Sequence, residues 1–223
     1  MATRLPAAER RAGLVEAALT VFSAEGFKVA TMDAVAAEAG VTKPVLYQHF
    51  PSKRELFHEL IRDVARRLRS DVTDAIGAAT SPHDMVRRGM RAVFTFVDER
   101  PEEFRLLYGE GVRSDEAFAV EVRGFERSMA DAIAELIDIE GIEPAGRLAL
   151  AFGIVGLAEA SARHWSLGGS GLSLDEVVEH VSDLAWHGLR APQRKPDLTA
   201  TRSAARATAA VLGGWCDVDR LGR

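Results

Sequence analysis

Across 223 residues there is one cysteine, Cys216, so no disulfide can form within the chain and no cysteine cluster can hold a metal. Basic charge is not in excess either: 28 Lys and Arg stand against 33 Asp and Glu, a net charge of −5. By itself that balance argues against nucleic acid, but its distribution matters more: it permits contact with DNA at one end without requiring it. No uninterrupted apolar run is as long as a membrane span needs, and Met1 to Arg11 lack the apolar stretch of a secretory leader. From these two absences we expect a cytoplasmic protein that does not contact a membrane. The six histidines (His49, His58, His83, His164, His180 and His187) are scattered, and no carboxylate spacing completes a metal site around His180 and His187. No serine sits in a strand–turn–helix elbow, and there is no glycine-rich phosphate loop. We therefore expect neither enzymatic chemistry nor a bound metal or cofactor.

What is present is helical periodicity from end to end, with no sustained period-2 alternation, so the fold class is all-α. Nine helices are expected. The first runs from about Ala7 to Glu25, with Leu14, Ala18, Val21 and Phe22 on one face and Gly26 as its stop. Two short ones follow, from Thr31 through Ala39 and from Thr42 to Phe50. Ser52 and Glu55 then form a capping pair for a long fourth helix, whose ladder Leu60, Val64, Leu68, Val72, Ile76 steps by four to Gly77. At 1.5 Å per residue its two dozen residues reach roughly 36 Å, enough to join a head to a body. The remaining helices span 81–99, 101–108, 114–139, 144–167 and 173–189, the last capped by Ser173 and Glu176. From Pro192 the composition turns to Ala, Thr, Arg and Pro, which predicts a flexible tail with one weak helix near 203–212. The expected domains are thus a head over 1–52, a helical body over 53–191 and a tail over 192–223. Charge follows the same division: residues 1–55 carry seven basic and six acidic side chains, and 56–191 carry fifteen and twenty-four.

The head is the most informative stretch. Two short helices are separated by Ala39-Gly40-Val41, the size of turn that a helix-turn-helix needs. Met32, Val35, Ala36 and Leu46 face inward, which leaves Thr42, Lys43, Val45, Tyr47, Gln48 and His49 outward on a helix too short to stand alone. Such an element suits presentation to a DNA groove. Lys43 can approach a base edge or a phosphate, while Tyr47, His49 and Lys53 are suited to phosphate oxygens. Thr31 and Thr42 stand at helix starts whose free amides attract phosphate, and Pro44 and Val45 offer apolar contact to a thymine methyl.

The run Gly40-Val41-Thr42-Lys43-Pro44-Val45-Leu46-Tyr47-Gln48-His49-Phe50-Pro51-Ser52-Lys53-Arg54-Glu55-Leu56 resembles the signature of the TetR family, G-V-S-x-x-x-L-Y-x-Y/H-F-x-S-K-x-x-L. Ala17-Ala18, Gly26-Phe27 and Thr31-Met32 match as well, so the resemblance covers about residues 10–57. Pro44-Val45 departs from the small residue followed by Thr or Ser that many members carry, which removes one hydroxyl from the reading helix. The resemblance implies a nine-helix TetR-like fold and a transcriptional regulator, typically a repressor, that binds double-stranded palindromic operator DNA. It also implies a homodimer formed through the helices at about 144–167 and 173–189, and release by an apolar small-molecule effector.

The residues of the body agree with that division of labour. Gly153, Gly156 and Ala160 make a small-residue strip on the eighth helix, and Leu174, Val178, Val181, Leu184 and Ala185 share a face of the ninth. A symmetric copy could cover both faces; burial within one subunit is the alternative. Candidate pocket residues are Phe94, Phe104, Leu107, Phe125, Met129, Phe152, Glu159 and Trp165. Aromatics at helical spacing are more often core than cavity lining. Glu159 interrupts an apolar helix, and we expect it to pair with Arg163 one turn on. Phe104-Arg105-Leu106-Leu107-Tyr108 and Ala162-Arg163-His164-Trp165 are similar to segments of actinobacterial TetR-family regulators of fatty-acid synthesis. That likeness implies a fatty acyl-CoA or another hydrophobic metabolite as effector.

Overall fold

The computed structural model describes residues 7–168 and 171–190. Among them are nine helices, one isolated helical turn and no strand: α1 Ala7–Val29, α2 Met32–Glu38, α3 Lys43–His49, α4 Lys53–Gly77, α5 Pro82–Glu99, α6 Pro101–Tyr108, the turn Glu110–Arg113, α7 Glu116–Leu136, α8 Pro144–Ser166 and α9 Leu174–Arg190. The expected tail over 192–223, its weak helix and Cys216 lie outside the described residues.

Local chemistry sets most of these boundaries. Ser52, Ser81 and Ser173 each stand before a helix and accept the amide of the third residue on, Glu55, Asp84 and Glu176. Each such bond satisfies one of the donors that a helix start leaves unpaired. At Ser173 the pairing is reciprocal, since its own amide and hydroxyl donate to the Glu176 carboxylate. Gly26 does not stop α1 as expected but kinks it: at φ 75° and ψ 158° it turns the chain, and one more helical turn carries it to Val29. The seventh helix is shorter than its sequence pattern. Asp115 caps its start by accepting the amides of Ala117 and Phe118, and Ile137 is buried with extended backbone at its end. The turn Glu110–Arg113 was not expected; Val112, only 3% exposed, anchors it.

α4 is the shared spine. Leu56, Phe57, Leu60, Ile61, Val64, Leu68 and Val72 are all buried, and α4 packs against α1, α5, α6 and α7. Each such side chain contributes about 1.5–3 kcal/mol of burial free energy. An aromatic chain crosses this spine: Phe22 and Phe27 of α1 meet Phe57 at 5.0 and 4.8 Å, and Phe57 and Phe27 both meet Phe118 of α7 at 4.6 and 4.9 Å. Arg67 of α4 adds a polar tie, reaching Glu16 of α1, Asp63 at 2.6 Å and the buried Glu103 of α6 at 3.4 Å. Burial raises the Glu103 carboxyl above its ordinary range.

The last two helices divide unequally. On α9, Val177, Val178, Val181 and Ala185 are buried inside the subunit, and Leu184 is 62% exposed. Most of the face that a partner might have covered is therefore used at home. α8 is the reverse. It is long and apolar enough by length and composition to cross a membrane, although no uninterrupted run was that long, and only 17% of its most apolar window is buried. Ala145, Ala149, Phe152, Gly153, Gly156 and Ala160 form one exposed stripe along it.

Candidate nucleic-acid interface and ligand pocket

The turn between α2 and α3 is built by hydrogen bonds at the end of α2. Gly40 donates to Ala37 O at 3.1 Å and Val41 to Ala36 O at 2.9 Å, with Gly40 at φ 65°. This pairing closes a helix with a left-handed residue, which glycine adopts without steric cost. Leu46, fully buried, pins α3 against the head core. The side chains one turn apart on its other side are then exposed: Thr42, Lys43, Pro44, Tyr47 and Gln48 share that outward surface, and Val45 and His49 are half-buried at its edges.

The expected DNA-contact residues fall into different roles. Thr31 spends its side-chain oxygen capping α2, where it accepts from Ala34 N at 3.1 Å. Thr42 stands at the same position of α3, but its hydroxyl makes no capping bond. Lys43 points back to α2 and donates to Asp33 at 2.8 Å, and the carboxylate raises its pKa. Lys53 is engaged within the chain. Its ammonium donates to the carbonyls of Phe27 at 2.7 Å, Lys28 at 3.3 Å and Ala30 at 2.7 Å, over the Phe27 ring. These bonds tie the start of α4 to the chain at the end of α1.

Arg54, its neighbour, faces the body. It holds Asp115 with two hydrogen bonds of 2.7 and 3.0 Å and keeps that carboxyl below its ordinary range. One helical stretch later Arg62 grips Glu121 of α7 through two bonds, and His58 lies 3.6 Å from the same carboxylate. Adjacent residues at the start of α4 thus hold the head on one side and α7 on the other.

Behind α7 lies a pocket of about 230 Å³, lined by Leu107, Tyr108, Val112, Arg113, Ala119, Val122, Arg123, Glu126 and Glu159. Of the expected pocket residues only Leu107 and Glu159 line it. Phe94 is fully buried, edge-on to Trp165, whose indole donates to Leu172 O. Phe104 stacks on Tyr108, Phe125 is buried near Arg69, Met129 packs on the core, and Phe152 is 39% exposed beside Arg127. These aromatics serve the core or the surface. Glu159 does pair with Arg163, at 3.4 Å, and more closely with Arg113 of the unexpected turn, at 2.8 Å. Glu126, which the sequence reading missed, is pushed up by burial and by Glu159. Its signal was available: it stands one turn beyond Val122 beside the stripe Phe118, Val122, Phe125 of α7. Tyr108 is 8% exposed, and burial raises its hydroxyl.

Comparison with known proteins follows the same division into head and body. Residues 14–60 match the profile of bacterial regulatory proteins of the tetR family, and 82–188 match a tetracyclin repressor-like C-terminal domain. The chain is similar to the transcriptional activator FasR of Mycolicibacterium smegmatis, 34% identical over 187 residues, covering 83% of this chain and 85% of the relative. It is also similar to the repressor KstR2 of that organism, 26% identical over 93% of this chain and 91% of the relative. Among solved structures, a TetR-like regulator from Rhodococcus sp. RHA1 superposes with a TM-score of 0.68 at 30% identity, covering 84% of this chain and 99% of that one.

Proposed function

The chain belongs to the tetR family of bacterial regulatory proteins, and from that premise we propose a ligand-responsive regulator that reads a near-palindromic operator through α3 of two copies. Membership makes it a transcriptional regulator and not an enzyme. The observation that carries the reading of DNA is the outward surface of α3, where Thr42, Pro44, Tyr47 and Gln48 stand exposed around a buried Leu46. In this reading residues 1–52 supply the head, 53–191 the effector-binding and dimerising body, and two heads enter successive major grooves about 34–36 Å apart or somewhat further. The exposed stripe on α8, with Leu184 of α9, supplies the homodimer contact: small residues let two helices approach closely, and an apolar face of that length needs cover.

The effector occupies the pocket behind α7. Leu107, Val112, Ala119 and Val122 offer an apolar floor, and Tyr108, Arg113, Arg123, Glu126 and Glu159 a polar rim, which suits a ligand with an apolar body and a polar end. A fatty acyl-CoA has that character. At about 230 Å³ the pocket is smaller than the roughly 300–1,000 Å³ of most ligand sites, so a long acyl chain enters only as α7 and α8 part. Movement of α7 acts on Asp115 and Glu121 and hence on Arg54 and Arg62 of α4, which shifts the heads out of register. Whether occupancy represses or activates depends on where the operator lies relative to the promoter; repression follows when the two overlap.

Capture of genomic fragments by the full-length protein, followed by sequencing, tests this reading. Enrichment of a fragment with two related half-sites is expected. Recovery of no fragment above background, or of fragments with no shared site, overturns it.

A further inference from the structure

Several basic side chains of the head and of the start of α4 are paired within the chain. Lys53 meets the carbonyls of Phe27, Lys28 and Ala30, Arg54 meets Asp115, and Arg11 meets Glu59 at 3.0 Å. Lys43, the basic residue that opens α3, is held by Asp33 at 2.8 Å. This last pair is unlike the others. Both partners are exposed, the lysine side chain by 51% and the carboxylate by 65%, and the two lie ten residues apart across the helix-turn-helix. An exposed pair of this kind is weak and exchanges readily with another anion. It has no core to support, so its effect falls on what Lys43 does at the surface.

We infer that Asp33 is a specificity-determining residue that withholds Lys43 from indiscriminate phosphate contact and releases it only to a correctly docked operator. The inference rests on the reading of α3 as the DNA-contacting helix. Non-specific binding is almost wholly electrostatic and scales with the number of phosphates neutralised. With Lys43 paired, each head offers one cation fewer to a random duplex. In the docked complex α3 sits in the groove, and a base-edge acceptor or a fixed phosphate competes with Asp33 for the ammonium at close range. Asp33 then costs little affinity at the right site and much more at wrong ones. Specificity of this kind comes from a penalty on the wrong partner, as negative electrostatic discrimination requires.

The test uses the full-length protein, the captured genomic fragment and a shuffled duplex of equal length, with binding followed across a salt series. For Asp33→Asn, binding to the shuffled duplex should tighten several-fold, and its log K against log salt should steepen by about 0.9 for each added phosphate contact. Binding to the captured fragment should change less, so the ratio of the two affinities falls. Asp33→Ala, which leaves no side-chain acceptor, should do the same. In a Lys43→Met background neither substitution should alter the ratio or the slope. An unchanged ratio in Asp33→Asn and Asp33→Ala overturns the inference, as does an effect that persists without Lys43, since Asp33 would then act through its own charge alone. Failure of the wild-type protein to prefer the captured fragment is a separate result, which removes the DNA-reading premise itself.

Discussion

Lys53 sits in the first turn of α4 with its ammonium turned back toward the end of α1, where two of its three carbonyl partners are at 2.7 Å. Hydrogen bonds to a charged group typically contribute about 1.5–3 kcal/mol, and here they also set the angle between α1 and α4. Lys53→Met should therefore lower the free energy of unfolding by about 1.5–3 kcal/mol in a denaturant titration. It should weaken DNA binding through a loosened head, leaving the salt dependence of binding unchanged. If instead the unfolding midpoint stays put and the salt slope becomes shallower by about 0.9, Lys53 is a phosphate contact after all. Sequence alone favoured the phosphate role because a lysine beside a reading helix is basic in any context. The backbone carbonyls that it meets in the fold carry no signature in the amino-acid code.

At the scale of elements, the patterns most visible in the sequence were those written in side-chain periodicity. The α4 ladder, the serine caps at Ser52, Ser81 and Ser173 and the glycine turn at Gly40 all form where residue chemistry places them. The pocket was less legible. Its residues come from α6, α7, α8 and a four-residue turn whose position follows from packing of Val112, and large aromatics nearby were drawn into the core. The α9 face illustrates the same limit: helical spacing marks Val178, Val181 and Ala185 as buried but does not say against which surface. The proposed partner contact falls on α8. A Cβ at Gly153 or Gly156 would meet nothing within 4 Å in its own subunit, so a larger side chain fits the fold of one chain. Gly156→Leu should leave helix content intact by circular dichroism and convert the protein from dimer to monomer in sedimentation. A variant that remains dimeric places the interface elsewhere.

Taken as a whole, the molecule joins its parts through α4. Lys53 holds the head, Arg54 and Arg62 hold α7, and the Phe22–Phe57–Phe118 chain fills the space between, so head and pocket are joined by contiguous packing. Charge supports the same asymmetry, with an acidic body and a near-neutral head that relies on placed groups in preference to a broad basic field. The central claim is that the exposed side of α3 reads DNA. Its most direct measurement is a titration of the captured fragment with wild-type protein and with the double variant Thr42→Ala, Tyr47→Ala, each checked for unchanged unfolding. Tyr47 is 41% exposed and Thr42 caps nothing, so both can be truncated without disturbing the core. Loss of two hydrogen bonds to charged oxygens in each of two heads predicts a fall in affinity of at least about a hundredfold. An affinity equal to that of the wild type, from a protein just as stable, would contradict the account.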